Sequence, residues 1–263
     1  MKDLQKTLDT TEETISFQVT NNGFNDIIEY DSSTVKNILI PLIKSISKMK
    51  KEGKIIVFLA APPGAGKTSL SKVIEMISDE FFASNKIVSI GLDGFHHNHI
   101  FLTNNHIVFE GERMPLSSIK GSPITYNVDH FIEKLKEYIS NDVCYWPTYD
   151  RNIHDVIEDS FFIDSNILFV EGNWLLLNDD KWNEARKYCD FSIFITADLT
   201  LIKERLIERK CKGGLSKKDA EEFYERSDSK NVMSILSNSV EPDIRMEFLE
   251  HGKRLSYISR KIR

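Results

Sequence analysis

The chain has 263 residues, 41% of them hydrophobic and 28% charged, with a formal net charge of −6 and a pI near 5.7. That composition suits a soluble globular protein of one large domain, or one domain with an appendage, and gives no electrostatic basis for binding nucleic acid. No apolar stretch is long enough to span a membrane, the segment Met1–Lys6 lacks the apolar region of a secretory leader, and Cys144, Cys189 and Cys211 lack metal-ligand spacing, so a cytoplasmic protein with reduced thiols is expected.

Ile15, Phe17 and Val19 alternate, Asn22-Gly23 follows, and Phe24, Ile27 and Tyr30 come next. An Asn-Gly pair between apolar runs predicts a β-hairpin. Val35, Ile38, Leu39, Leu42, Ile43, Ile46 and Met49 make a helical stripe over residues 34–51, and Pro41 inside it predicts a kink or a late start. Residues 1–52 therefore read as a hairpin-and-helix extension, ahead of a second unit spanning 53–263.

That unit opens on its most informative segment. Ile55, Ile56 and Val57 begin an apolar run that breaks into Ala61-Pro62-Pro63-Gly64-Ala65-Gly66-Lys67-Thr68. Leu70, Val73, Ile74 and Ile77 then recur at helical spacing. Strand, glycine-rich loop and helix in this order predict a phosphate-binding P-loop. Backbone N–H groups at the helix start point at an anion, and the helix dipole favours negative charge there. Gly64, Ala65, Gly66, Lys67, Thr68 and Ser69 are the expected nucleotide contacts. The Lys67 ammonium can reach the β- and γ-phosphates, and the Thr68 hydroxyl can ligate Mg²⁺. The G-x-x-x-x-G-K-[ST] pattern asks for glycine where this chain has Ala61, and alanine is tolerated there if its φ stays negative.

Further along, Ile87–Leu92 predicts a buried strand that ends at Asp93-Gly94. Residues 98–128 lack periodicity and read as a long functional loop. Phe131, Ile132, Leu135, Tyr138 and Ile139 predict a helix. Val143–Trp146 predicts a short strand running into Tyr149-Asp150-Arg151, and Ile167–Val170 another ending at Glu171. Phe191–Ile195 reads as the last clear core strand. A helix carrying Leu199, Ile202 and Leu206 follows, Gly213-Gly214 ends it, and Ser216 to Asp219 resembles a capping box. Strands alternating with helices predict an α/β fold of the P-loop type, a parallel sheet with helices on both faces.

Ligands of such sheets bind at the carboxyl ends of the strands. Four of those ends deliver polar residues: the P-loop, Asp93, Tyr149-Asp150-Arg151 and Glu171. Asp93 is expected to act as a base or in association with a metal, and Glu171 as a carboxylate that supports Mg²⁺ from its second shell or holds its water. Arg205 and Arg209, followed by Lys210, Lys212 and two glycines, fit a mobile lid near residues 209–216 that brings cations to a transferring phosphoryl group. His96, Lys120, Tyr149, Arg151 and His154 are candidate acceptor contacts. Catalytic roles are expected of Asp93, Lys67 and Arg209.

The run Ala61–Thr68, Leu92-Asp93-Gly94-Phe95-His96, Lys120-Gly121-Ser122-Pro123, Trp146–Arg151 and Val170–Leu176 resembles the kinases related to phosphoribulokinase, uridine kinase and type I pantothenate kinase. It is most similar to a bacterial nucleoside/nucleotide kinase-like branch sometimes labelled fructose transport system kinase. The resemblance covers roughly residues 54–243. It implies ATP and Mg²⁺ as cofactors and phosphorylation of a small-molecule hydroxyl, with Asp93 as base, Lys67 and Thr68 on nucleotide and metal, and Arg209 in the lid. The segment Lys120–Asn127 departs from the Lys-Gly-Phe-Pro-Glu-Ser-Tyr-Asp of pantothenate kinases, so acceptor contacts do not transfer from that loop. Tyr149-Asp150-Arg151 is more like sugar and nucleoside kinases.

The expected function is thus an ATP-dependent kinase acting on a sugar, polyol, nucleoside or pantothenate-like metabolite. A partner-regulated P-loop ATPase and a nucleotide kinase with a phosphorylated acceptor are the rivals. The Asn-Lys-x-Asp signal of a GTPase is absent from the sequence. The expected partner is a small-molecule substrate, without nucleic acid or membrane, and a homodimer is left open.

Overall fold

The computed structural model describes residues 13–21, 24–49, 53–109 and 111–260. Strands β1 (Thr14–Asn21) and β2 (Phe24–Asp31) pair antiparallel as the expected hairpin, with Ile15 opposite Tyr30 and Phe17 opposite Ile28. The Asn22-Gly23 turn lies outside the described residues. Period-2 alternation sends Ile15, Phe17 and Val19 to one buried face. The Asp31 carboxylate accepts the Thr34 N–H at 2.6 Å and caps a helical turn, Ser32–Thr34. The chain then passes through a π-helical turn, Val35–Leu39, into α1 (Ile40–Ser47). Pro41 accounts for the widened turn. It has no N–H to return to the preceding turn, and the helix opens by one residue so that the Ile40 N–H reaches the Val35 carbonyl.

Every residue of β3 (Ile55–Ala60) is buried, and α2 (Lys67–Phe81) follows it across the loop. Strand β4 (Ile87–Gly91) leads into a 3-10 turn, Leu92–Phe95. The segment expected as one long loop holds α3 (His99–Asn104) and a small ribbon of β5 (His106–Phe109) and β6 (Glu112–Pro115). Helix α4 (Val128–Ser140) precedes β7 (Cys144–Asp150), β8 (Asp155–Ile163) and β9 (Ile167–Gly172). Next come α5 (Asp180–Arg186), β10 (Phe191–Ala197), α6 (Leu199–Lys212) and α7 (Lys217–Phe223). A π-helical turn, Tyr224–Asp228, joins α7 to α8 (Ser229–Asn238), and β11 (Ile244–Leu249) and β12 (Arg254–Arg260) close the fold.

The central sheet has six strands in the order β12-β11-β10-β3-β9-β4. All neighbours are parallel except β12, which is antiparallel to β11. Ile55, Val57 and Leu59 pack on one face with α1, α2 and the buried side of the β1–β2 hairpin. Ile56, Phe58 and Ala60 pack on the other with α4, Trp146 and Trp174. Two-sided burial explains why β3 is a continuous apolar run with no alternation. The expected α/β sheet is present, and no helix among the described residues is long and apolar enough to cross a membrane.

Two strand expectations need correction. The strand carrying Tyr149 and Asp150 is no part of the parallel sheet, because β7 pairs antiparallel with β8 in a separate ribbon. The register shifts between Trp146 and Thr148, at Pro147, which has no N–H for the ladder. Phe191–Ile195 is also not the last core strand. Ile244, Met246 and Phe248 alternate with half-buried partners in β11, which pairs in parallel with β10.

Candidate active site

Strands β3, β4 and β9 end level with one another. Leu59 and Gly91 both pair with Glu171, so the loop after β3, the turn after β4 and the end of β9 meet at one edge. Gly64 (φ 81°) and Gly66 (φ 98°) adopt left-handed backbone that favours glycine. A methyl on Gly64 would also lie 3.1 Å from the Ile202 carbonyl oxygen. Ala61 is absent from the described positive-φ residues, as its tolerance required. Gly66 begins α2 with no side-chain cap, and no acidic residue stands in the first turn. The start of α2, at Lys67 and Thr68, therefore has neither a side-chain cap nor a negative charge that would oppose an anion there.

The Thr68 hydroxyl donates to Glu171 Oε1 at 2.8 Å, and Lys67 Nζ stands 3.9 Å from Glu171 Oε2. Burial raises the Glu171 carboxyl pKa, with the Lys67 charge opposing it. A hydroxyl and a carboxylate side by side are hard oxygen donors of the kind Mg²⁺ accepts, with phosphate oxygens and water completing its shell. No group of three or more His, Cys, Asp or Glu forms a metal cage among the described residues. Thr68 and Glu171 thus fit a magnesium shared with a phosphate ligand.

Asp93 lies opposite, on the 3-10 turn after β4. Gly94 lets this turn meet β7, for a methyl there would overlap the Pro147 carbonyl. That contact brings the β7–β8 ribbon over the sheet edge. Asp93 is exposed and accepts the Tyr126 hydroxyl at 3.3 Å, and Arg151 Nη2 is 3.8 Å from its other oxygen. Tyr126 is buried, and burial with the Asp93 charge holds its phenol well above the ordinary value. His96 stacks on Tyr126 at 3.9 Å, and burial lowers its imidazole pKa. Lys120 Nζ donates to the Tyr149 hydroxyl at 2.9 Å and to the His154 carbonyl at 3.1 Å. Trp174 Nε1–H fixes the Lys120 loop by donating to the Gly121 carbonyl at 2.8 Å.

On α6, desolvation lowers the Arg209 guanidinium pKa, and Asp228, Arg151 and Asp93 lie within electrostatic reach of it. Arg205, one turn earlier, donates to the Gly64 carbonyl at 3.3 Å and to the His251 carbonyl at 3.0 Å. Ser216 accepts the Asp219 N–H at 3.2 Å, the expected cap of α7.

Most of the expected residues therefore gather at one edge of the sheet. Lys67, Thr68 and Glu171 form one side, and Asp93, Arg151, His96, Lys120 and Tyr149 the other. His154 offers its backbone carbonyl to Lys120, and the structure records no imidazole contact for it. Tyr126 and Gly94 are given no role by the sequence, and Arg205, expected with Arg209 in the lid, instead bridges the Gly64 and His251 carbonyls. Tyr126 sits in the 98–128 segment, where no periodicity marked it, and its relation to Asp93 is purely spatial.

The model of the Phosphoribulokinase / Uridine kinase family matches residues 56–235. An uncharacterized Escherichia coli protein, YggC, is 36% identical over 242 residues, covering 91% of this chain and 98% of that protein. A Schizosaccharomyces pombe protein named "Putative uridine kinase" is 27% identical, covering 78% of this chain and 88% of its own. Among solved structures, one titled "putative fructose transport system kinase", from Silicibacter sp. TM1040, superposes with a TM-score of 0.70 at 22% identity, over 79% of this chain and 98% of that one.

Proposed function

Because the chain belongs to the Phosphoribulokinase / Uridine kinase family, P-loop kinases that use ATP with Mg²⁺, we propose that it transfers the γ-phosphoryl group of ATP to a hydroxyl of a small metabolite. The observation that carries this is Asp93 facing the Lys67–Thr68–Glu171 cluster across the sheet edge, held by Tyr126 and Arg151. In such a reaction positioning and charge stabilisation do most of the work. Asp93 takes the proton of the acceptor hydroxyl as it attacks. Tyr126 and Arg151 orient that carboxylate. Lys67 and the N–H groups of α2 hold the donor phosphates, and Arg209 adds positive charge where charge spreads over the transferring group. Mg²⁺, when bound through Thr68 and Glu171, neutralises phosphate charge.

The acceptor that fits best is unphosphorylated and rich in hydroxyls: a sugar, polyol, nucleoside or pantothenate-like compound. Lys120 is engaged by the Tyr149 hydroxyl and the His154 carbonyl, and Arg151 by Asp93, so neither cation waits for an acceptor phosphate. Arg113 stands on the exposed β5–β6 ribbon. A metabolite panel that reads ADP release, with each sugar or nucleoside paired with its monophosphate, tests the proposal. Stimulation by the free alcohols is expected. Stimulation by monophosphates alone would identify a nucleotide kinase, and stimulation by a protein alone a partner-regulated ATPase. The division at residues 52/53 and a lid near 209–216 remain part of this proposal.

A further inference from the structure

The family match begins at residue 56 and ends at 235. It therefore omits both the N-terminal hairpin and the β11–β12 turn, yet these two pieces meet beside the phosphate loop. The Tyr30 ring, from β2, stacks on Phe248 of β11 at 5.8 Å with the planes 9° apart. Phe248 in turn covers Gly66. A methyl on Gly66 would sit 3.5 Å from the Phe248 ring and 3.6 Å from an Arg205 nitrogen. Arg205 joins the Gly64 carbonyl of the loop to the His251 carbonyl of the β11–β12 turn. The turn is tied back to the extension. The Asp31 N–H donates to the Lys253 carbonyl at 2.9 Å, Lys253 Nζ pairs with Glu29 at 2.8 Å, and the Leu255 N–H donates to Thr34 Oγ1 at 2.9 Å.

We infer that the N-terminal hairpin is a positioning element for the phosphate loop, with Tyr30 acting through Phe248 and Arg205 on Gly64 and Gly66. The inference rests on reading residues 61–68 as the triphosphate site. Two left-handed glycines give that loop freedom, and a loop that must present its N–H groups to phosphate needs rigid support from behind. The Tyr30–Phe248 stack closes one side, and the Arg205 bridge pins a carbonyl away from the anion. Tyr30 is buried and touches no reacting atom in this arrangement, so its part is to hold the loop that does.

Equilibrium binding of MgATP to the full-length protein, alongside thermal unfolding, tests this. Lys67→Ala comes first: if it binds like the parent, residues 61–68 are not the triphosphate site, and the failure belongs to that reading. With the loop established, Tyr30→Leu should weaken MgATP binding about tenfold, the scale of one lost supporting contact. Tyr30→Phe keeps the stacked ring and should restore most of the affinity. Leu39→Ala removes a fully buried side chain elsewhere in the same extension. It should lower the unfolding temperature and leave affinity at the parental value. Gly252→Ala covers the case in which Tyr30→Leu fails to fold. Gly252 lies in the β11–β12 turn at φ 91°, and a methyl there overlaps the Arg205 guanidinium and must displace it. Weaker MgATP binding in Gly252→Ala is expected. Parental affinity in Gly252→Ala and in any folded Tyr30→Leu overturns the inference, as does equal weakening by Leu39→Ala.

Discussion

At the scale of single residues, the two arginines of α6 divide the work that their sequence spacing leaves shared. Arg205 bonds the carbonyls of Gly64 and His251, whereas Arg209 has Asp93, Arg151 and Asp228 within electrostatic reach. Arg209→Ala should therefore lower kcat with little change in ATP affinity, because a lid cation acts mainly on charge in the transition state. Arg205→Ala should do the reverse and weaken ATP. Steady-state kinetics beside direct nucleotide binding separates them, and small equal effects from both would assign the pair to a solvated basic face. Asp93→Asn keeps the acceptor of the Tyr126 hydrogen bond but not the base. It should retain ATP affinity and lose about 10²–10⁴ in turnover. A collapse of ATP binding with normal turnover per bound nucleotide would make Asp93 a metal ligand instead. His96 adds a pH dependence to stability. Burial lowers its pKa below the ordinary 6.5, so the unfolded chain takes the proton first as pH falls. Its contribution is complete above about 6.5 and is lost below it. His96→Gln should flatten that part of the stability profile in denaturant titrations at stepped pH, and an unchanged slope would show that the imidazole is not a source of it.

At the scale of elements, legibility in the sequence follows burial. Strands β3, β4 and β9 are buried on both sides, and their apolar runs announce themselves. The motif residues at their ends, Lys67, Thr68, Asp93 and Glu171, inherit that clarity. Strand β8 is half exposed, with Glu158, Asp159 and Ser160 in its middle, and it has no face to read. Without its partner, β7 reads as one more strand of the parallel sheet, whereas the strand carrying Tyr149 belongs to the β7–β8 ribbon. The contact that brings the ribbon to Asp93 is made by Gly94 against the Pro147 carbonyl, between residues far apart in sequence. Gly94→Ala should accordingly drive the two elements apart. Overpacking typically costs about 1–3 kcal/mol, and the shift at Asp93 should lower turnover while MgATP affinity is kept, since the P-loop is untouched. Thermal unfolding and kinetics on the same sample check both. Parental stability and turnover would mean the turn and the ribbon separate freely.

At the scale of the molecule, the extension and the nucleotide core share apolar surface. Ile15, Phe17, Val19, Val35, Leu39 and Ile43 pack in one cluster with Val73, Ile74 and Ile77 of α2. The sequence marked the hairpin and helix correctly as elements but gave no sign of what their apolar faces cover, since long-range packing leaves no local period. A second cluster lies across the sheet and contains Trp146, Trp174 and Trp182. All three of the chain's tryptophans therefore report on the face away from the extension. A side chain removed from the extension is far from every one of them, which makes fluorescence a test of cooperativity. Ile43 is fully buried in α1. Ile43→Ala should cost about 2–5 kcal/mol, and at about 2–4 °C per kcal/mol for a chain of this size the unfolding midpoint should fall by several degrees. If the β3 sheet joins the two clusters into one unit, tryptophan fluorescence and far-UV circular dichroism will shift together and stay coincident, as a two-state transition requires. A lower dichroism midpoint with an unmoved tryptophan midpoint would show that the extension melts on its own, and the hairpin would then be a detachable module and no support for the phosphate loop.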